Sequence, residues 1–312
     1  MTRVVVLTGP TATGKTALGV ALAQECGGEV ISADSMQIYR HMDVGTAKPT
    51  ALETGGVRHH MIDVASPLEA YSVARYSEEA SAAVDDVAAR GLLPIIVGGA
   101  GLFIDSLVLG RSFAPEDASG LRSEIEAEYD TLGGEKMLEA LAEFDPEAAR
   151  RLAPRDKKRL VRAMEVYRLT GKTLSAHDEE TRRLPPRYDA LYITLGYDDR
   201  ARLYERIDDR VDDMLRRGFL DEAKALLRLG LTKSHNAAQA IGYREMLAAA
   251  TGEMPLPDAV ELTKTRSRQY AKRQLTWLRR TDAAVRISWQ AKPDFNHALR
   301  VSTEYIRAAG YI

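Results

Sequence analysis

The chain has one cysteine, Cys26, in 312 residues. A single thiol excludes an internal disulfide framework and any cysteine-built zinc site, and it suits a reducing compartment. A charge excess of one sign is also missing. The formal net charge of −2 gives no global basic field, so contact with nucleic acid must come from local patches. Long apolar runs are absent too. Residues 4–7 stand alone before Thr8-Gly9-Pro10, too short for the apolar core of an export signal. The most membrane-like stretch, 91–110, carries only Asp105 as a charge. Pro94, Gly98, Gly99 and Gly101 break it into a strand, a turn and a short helix. We therefore expect a soluble, cytoplasmic protein, and a monomer. Hydrophobic content of 45% is enough for a well-filled core.

The clearest positive feature is an alternation of elements. Apolar runs at 30–31 and 92–97, like that at 4–7, predict parallel strands buried on both faces. Helical patterns at 16–25 and 72–89 predict the layers that cover them. From 115 to 186 the sequence turns Ala-, Glu-, Leu- and Arg-rich, with no strand, punctuated by Pro115, Pro146, Pro154 and Pro185-Pro186. The run 191–195 restores the strand pattern, helices fill 201–280, and 285–288 reads as a last strand. The expected fold is α/β: a P-loop NTPase-like parallel sheet flanked by helices, built from 1–114 and 187–312. An all-helical insertion domain would occupy 115–186.

Gly9-Pro10-Thr11-Ala12-Thr13-Gly14-Lys15-Thr16 fits G-x-x-x-x-G-K-[ST], with a buried strand before it and a helix after it. Glycines let the backbone wrap closely, so successive N–H groups point at phosphate oxygens, and the helix N-terminus adds its positive end. Lys15 supplies a full charge, and the Thr16 hydroxyl suits Mg²⁺. A nucleotide such as ATP fits such a cradle, but the motif specifies phosphates and not their carrier. The usual nucleotide hydrolase has a further strand ending in a metal-holding carboxylate. Here the strands at 93–97 and 191–195 end in Gly98-Gly99 and Gly196-Tyr197.

Asp34, after the strand at 30–31, is the one strand-terminal carboxylate near the loop. It would sit at the sheet edge where open α/β sheets bind ligands, as a general base, a metal ligand or a helix cap. His59-His60 side chains point to opposite faces of a strand, which favours a structural role over joint chelation.

The segments Asp34-Ser35-Met36-Gln37-Ile38-Tyr39 and Asp43-Val44-Gly45-Thr46-Ala47-Lys48-Pro49 resemble the tRNA dimethylallyltransferase (tRNA isopentenyltransferase) family. So do His59-His60-Met61-Ile62-Asp63, Val97-Gly98-Gly99-Ala100-Gly101-Leu102-Phe103, and Lys158-Arg159-Leu160-Val161-Arg162 with the residues after it. Thr170-Gly171-Lys172, Ile241-Gly242-Tyr243-Arg244 and the block 271–279 continue the series, in order, across nearly the whole chain. With one cysteine the chain is similar to the bacterial members, which lack the zinc finger of many eukaryotic ones.

The resemblance implies transfer of a dimethylallyl group from its diphosphate to N6 of the adenosine at tRNA position 37, beside the anticodon. It implies Asp34 as the general base, with Asp34, Ser35, Met36 and Gln37 contacting the target nucleotide. Lys158, Arg159, Leu160, Val161 and Arg162 would contact the anticodon stem-loop, and Ala100 and Arg122 would also contact tRNA. The family usually has Thr at the position of Ala100 and Tyr at that of Phe103, so any hydrogen bond from those side chains is lost here.

Chemistry asks for a cation on the leaving diphosphate. Arg206, Arg210 and Arg217 share one face of the helix after Ala201, whose apolar stripe is Leu203, Ile207, Val211 and Met214. Asp208, Asp209, Asp212 and Asp213 make a solvated, ion-paired face the plain reading, while the family pattern gives Arg210 a phosphate role. Basic runs at 150–162 and 264–280, the latter with Lys272 and Arg273, are candidate RNA contacts; Trp277 is read as core. Rival readings are an ATP-dependent small-molecule kinase, a prenyltransferase acting on free AMP, and a GTPase-like RNA switch. The kinase lacks its second carboxylate, free AMP leaves the helical insertion without purpose, and the switch lacks an Asn-Lys-x-Asp motif.

Overall fold

The computed structural model describes residues 1–111, 113, 120–281, 283, 285–290 and 292–312. The chain forms two compact units, Met1–Val108 with Pro186–Ile312, and Leu109–Pro185. The boundary expected at 114–115 lies outside the described residues.

The first unit contains β1 (Arg3–Thr8), α1 (Lys15–Cys26), β2 (Gly28–Ala33), β3 (His59–His60), α2 (Val73–Ala89), β4 (Leu93–Gly98) and the start of α3 (Gly101–Leu109). The second consists of α4 (Leu121–Leu132), α5 (Gly134–Phe144), α6 (Pro146–Arg151), α7 (Lys157–Thr170) and α8 (Leu174–Arg182). The chain then returns to the first unit with β5 (Asp189–Tyr197), α9 (Arg200–Arg216), α10 (Phe219–Arg228), α11 (Tyr243–Ala250), α12 (Leu256–Leu278), β6 (Val285–Trp289) and α13 (Phe295–Ala308).

The six strands among the described residues are all parallel, in the order β3-β2-β4-β1-β5-β6. Parallel strands covered on both faces need apolar side chains at every position, which explains the unbroken 4–7 run. Val5 and Leu7 share one layer with Leu18 and Leu22 of α1 and Ala298 and Ile306 of α13. Val4 and Val6 face the other layer, with Tyr76 of α2, Ile104 of α3 and Phe219 of α10. The chain leaves β1 for β2 on one side and later reaches β5 on the other. The crevice at the carboxyl end of β1 is therefore the switch point where such sheets bind ligands.

The C-terminal helix α13 is the element that the sequence reading omits. Its buried positions Ala298, Ser302, Thr303 and Ile306 recur at helical spacing, and Asp294 accepts a hydrogen bond from the His297 amide at 2.9 Å as a cap. In the helical unit, Ile125, Met137, Leu141, Leu160, Val161 and Ala163 form a separate apolar core. No helix among the described residues is long and apolar enough to cross a membrane.

Leu7 is fully buried at the centre of the sheet. Leu7→Ala should cost about 3 kcal/mol by lost burial and the cavity left behind, read as a lower urea midpoint at unchanged slope. A loss under about 1 kcal/mol would contradict this packing.

Candidate active site

The loop between β1 and α1 is held by distant parts of the chain. The Thr11 amide donates to Gln274 Oε1 at 2.9 Å, and Gln274 Nε2 donates to the Gly99 carbonyl at 2.9 Å. Trp289 Nε1 donates to the Thr13 carbonyl at 3.0 Å, and the Thr13 hydroxyl to Pro10 O at 2.8 Å. Gly14, at φ 84°, caps α1 in the left-handed region that favours glycine, with no side-chain cap. The first-turn amides of α1 are thus left to an anion in the crevice. Gln274 and Trp289 escaped the sequence reading because nothing local links them to the loop.

Lys15 donates to Pro10 O at 2.8 Å. Its side chain keeps an accessible edge on the crevice, yet its ammonium is surrounded by protein. Burial, then repulsion from Arg210, lowers its pKa to about 7 against the opposing attraction of Asp34. Arg210 is held below the usual guanidinium range by burial, with Asp34 and Glu53 opposing and Arg217 and Arg206 adding repulsion. Its buried Nε has no hydrogen-bond partner among the described residues. Two desolvated cations therefore face one crevice.

That crevice is a cavity of about 640 Å³ lined by residues 11–17, Asp34, Gly98, Gly99 and Arg210. Glu53, Asp209, Asp213, Arg206 and Arg217 line it as well. Glu53 and the two aspartates come from a loop and a helix, which is why a search of strand ends does not find them. A second cavity of about 290 Å³ adjoins it, lined largely by Ile207, Val211, Phe219, Ala240, Ile241 and Tyr243. Thr11, Asp34, Arg210, Met214 and Tyr270 belong to both linings, so Asp34 and Arg210 stand where the polar space meets the apolar one. Asp34 Oδ1 accepts from the Met36 and Gln37 amides at 2.9 and 3.4 Å, fixing the carboxylate in a tight turn. It caps a turn, and its other oxygen has no hydrogen bond among the described residues.

Ser35 and Met36 line the apolar cavity. Gln37 is buried, accepting from Ser32 Oγ at 3.1 Å and donating to the Thr46 and Ala47 carbonyls at 3.4 Å. Ala100 opens α3, its carbonyl accepting from the Phe103 amide. His60 Nε2 bonds Glu29 at 2.7 Å and His59 Nδ1 the Val57 carbonyl at 2.9 Å. Half-buried Trp277 bonds Asp105 at 2.9 Å.

One expectation needs correction. Leu160 and Val161 are fully buried in the helical unit, so their side chains offer no surface to RNA; Lys158 and Arg159 beside them are exposed. Arg122 and Arg162 converge on the buried Glu165 at 3.3 and 2.7 Å, a pairing that holds α4 to α7. The 264–280 run is in part structural. Lys264 pairs with Asp212 at 2.8 Å, Arg268 with Asp208 at 2.6 Å, and Arg266 with Glu245. Its exposed remainder includes Lys272 and Arg273, the latter on the apolar cavity.

Comparison with known proteins gives these positions a family. A model of the IPP transferase family matches residues 37–281. The tRNA dimethylallyltransferase of Acetivibrio thermocellus is 43% identical over 297 residues, covering 95% of this chain and 94% of that protein. The crystal structure of the full-length tRNA isopentenylpyrophosphate transferase from Bacillus halodurans matches with a TM-score of 0.71 at 37% identity. It covers 99% of this chain and 96% of that one. A eukaryotic dimethylallyltransferase described as acting on tRNA matches with a TM-score of 0.83 at 30% identity, over 99% of this chain and 80% of that one. The kinase alternative finds no support in these relatives; the chain belongs to the tRNA dimethylallyltransferase family.

Proposed function

We propose that the chain transfers a dimethylallyl group from dimethylallyl diphosphate to N6 of adenosine 37 in the anticodon stem-loop of a tRNA. The observation that carries this reading is the junction itself. A cationic phosphate cavity abuts an apolar one, and a carboxylate and a guanidinium stand at their boundary. A prenyl diphosphate has that same division into a charged and an apolar half.

In the reaction, the bond from the allylic carbon to the diphosphate oxygen breaks and its electron pair leaves with diphosphate. The amides of residues 12–16, Lys15 and Arg210 stabilise that growing charge where little water competes. The adenine amine forms the new C–N bond, and its proton passes to Asp34. The adenine must leave its stack to reach the junction.

Thr16 faces the cavity, and its hydroxyl offers an oxygen donor of the kind Mg²⁺ takes. Among the described residues no three His, Cys, Asp or Glu side chains gather to hold a metal, so Thr16 would share the ion with diphosphate oxygens. Bound there, Mg²⁺ would neutralise part of the leaving-group charge. Lys158, Arg159, Lys272 and Arg273 supply positive charge for tRNA phosphates. Such a protein works alongside tRNA in the cytoplasm.

The direct test incubates the protein with Mg²⁺, dimethylallyl diphosphate and unmodified tRNA, and reads digested nucleosides by mass spectrometry. N6-prenylated adenosine is expected, with kcat lowered about 10²- to 10⁴-fold in Asp34→Asn and the donor KM little changed. Phosphate transfer from ATP to a small acceptor, with no prenylated nucleoside, would refute the proposal.

A second prediction concerns pH. With Lys15 near 7 in the free protein, the amine is largely neutral at pH 8, and a bound diphosphate recharges it. Binding at pH 8 should take up about one proton, and affinity should fall by up to about tenfold per pH unit above 7. Calorimetry of dimethylallyl diphosphate binding, an ester whose phosphates are fully ionised at pH 8, in buffers of different ionisation enthalpy reads this directly. Proton-neutral binding would show that Lys15 is already charged.

A further inference from the structure

The block 43–49 enters the family resemblance with no chemical role attached. Its surroundings point to one. Glu222, in the first turn of α10, accepts hydrogen bonds from three successive amides of this loop. Its Oε2 takes Asp43 N at 2.8 Å and Val44 N at 2.7 Å, and its Oε1 takes Gly45 N at 3.0 Å. Tyr243 donates to the same Oε1 at 2.5 Å. Consecutive N–H groups aimed at one point form an anion-binding hollow, and here a carboxylate of the protein fills it. Burial and the adjacent carboxylate push the Tyr243 phenol far above its usual range, so it remains a donor. Gly45 permits the close approach, since a Cβ there would overlap the Phe219 and Tyr243 rings.

The contacts continue in both directions. Buried Lys48 holds the far end of the loop, donating to Asp43 at 2.5 Å, Asp63 at 2.6 Å and the Tyr39 carbonyl at 2.9 Å. The Thr46 and Ala47 carbonyls bind Gln37, whose amide closes the Asp34 turn. On the other side, α10 follows α9 after only Arg217-Gly218, and α9 carries Arg210. One carboxylate thus joins the helix pair bearing Arg210 to the loop that supports Asp34. Glu222 itself lines neither cavity, whereas Gly45 and Thr46 line the apolar one.

We propose that Glu222 is a positioning residue: by anchoring residues 43–45 to α10 it fixes the separation of Asp34 and Arg210 across the junction. The catalytic half of this inference rests on the prenyl-transfer reading above. Glu222→Gln is the informative change. It keeps the shape but replaces one acceptor oxygen by an NH₂ group that faces donors, so either the Asp43 and Val44 amides or Gly45 and Tyr243 lose their partner.

Hydrogen–deuterium exchange of the folded variant should rise about tenfold or more at 43–47 while β1 and β4 stay protected. The kcat for prenyl transfer should fall about tenfold or more with donor KM within about twofold, because diphosphate contacts are untouched. Glu222→Asp, with the charge on a shorter arm, should fall between the two and serves if the glutamine variant does not fold. Unchanged exchange at 43–47, or loss of protection spread evenly through the sheet, would overturn the anchor. Unchanged kcat in a variant whose loop has opened would overturn the positioning role. Exchange needs no substrate, so a wild-type chain unable to transfer a prenyl group would count against the functional reading without obscuring the result for Glu222.

Discussion

Lys15 and Arg210 bring like charges into a crevice where protein has replaced much of the water, with Asp34 as the carboxylate that both feel. Burying one charge is costly, and burying two of the same sign in one space costs more unless something holds them there. The surrounding structure supplies that hold. Gln274 and Trp289 pin the phosphate loop from α12 and β6. The apolar stripe of α9 fixes the rotation of the helix that carries Arg210, and Asp208 and Asp212 tie it to α12. The diphosphate proposed above would complete the balance, which is how a fold can favour the charge distribution of a leaving group over that of the free site.

The junction also separates two tasks. Backbone amides and cations line one side, and apolar volume lies on the other, with Asp34 between them. Parallel-sheet topology brings these parts together from far apart in sequence. The loop after β1 and the turn after β2 flank β4, whose end is Gly98-Gly99, and a side chain there would crowd both neighbours. At Gly98 a Cβ would overlap the Ala33 carbonyl, and at Gly99 the Gln274 amide group. The paired glycines that deny the strand a metal-holding carboxylate are thus required by packing.

Much of this was legible in the sequence, for a physical reason. The P-loop and the Asp34 turn are encoded locally, by strand, glycine and helix in succession, and the apolar stripe of α9 matches its buried face residue for residue. What escaped depends on tertiary partners. Four aspartates around Arg210 suggested a neutralised, solvated helix face, but Asp208 and Asp212 reach across to Arg268 and Lys264. Their engagement leaves Arg210 turned inward, its Nε unpaired among the described residues. The same pairing removes Lys264 and Arg268 from the candidate RNA surface. Leu160 and Val161 illustrate the opposite error, since a contiguous motif on a helix must send some of its residues into the core.

The central claim is that the two buried cations form a site whose balance requires an anion, and thermal unfolding of Arg210→Met with and without pyrophosphate and Mg²⁺ tests it most directly. The account predicts a ligand-free variant at least as stable as the parent, because removing the charge relieves desolvation and repulsion, with most of the pyrophosphate stabilisation lost. A variant that unfolds at lower temperature yet keeps the full pyrophosphate increment would contradict it, and would make Arg210 a structural ion-pair partner outside the phosphate site.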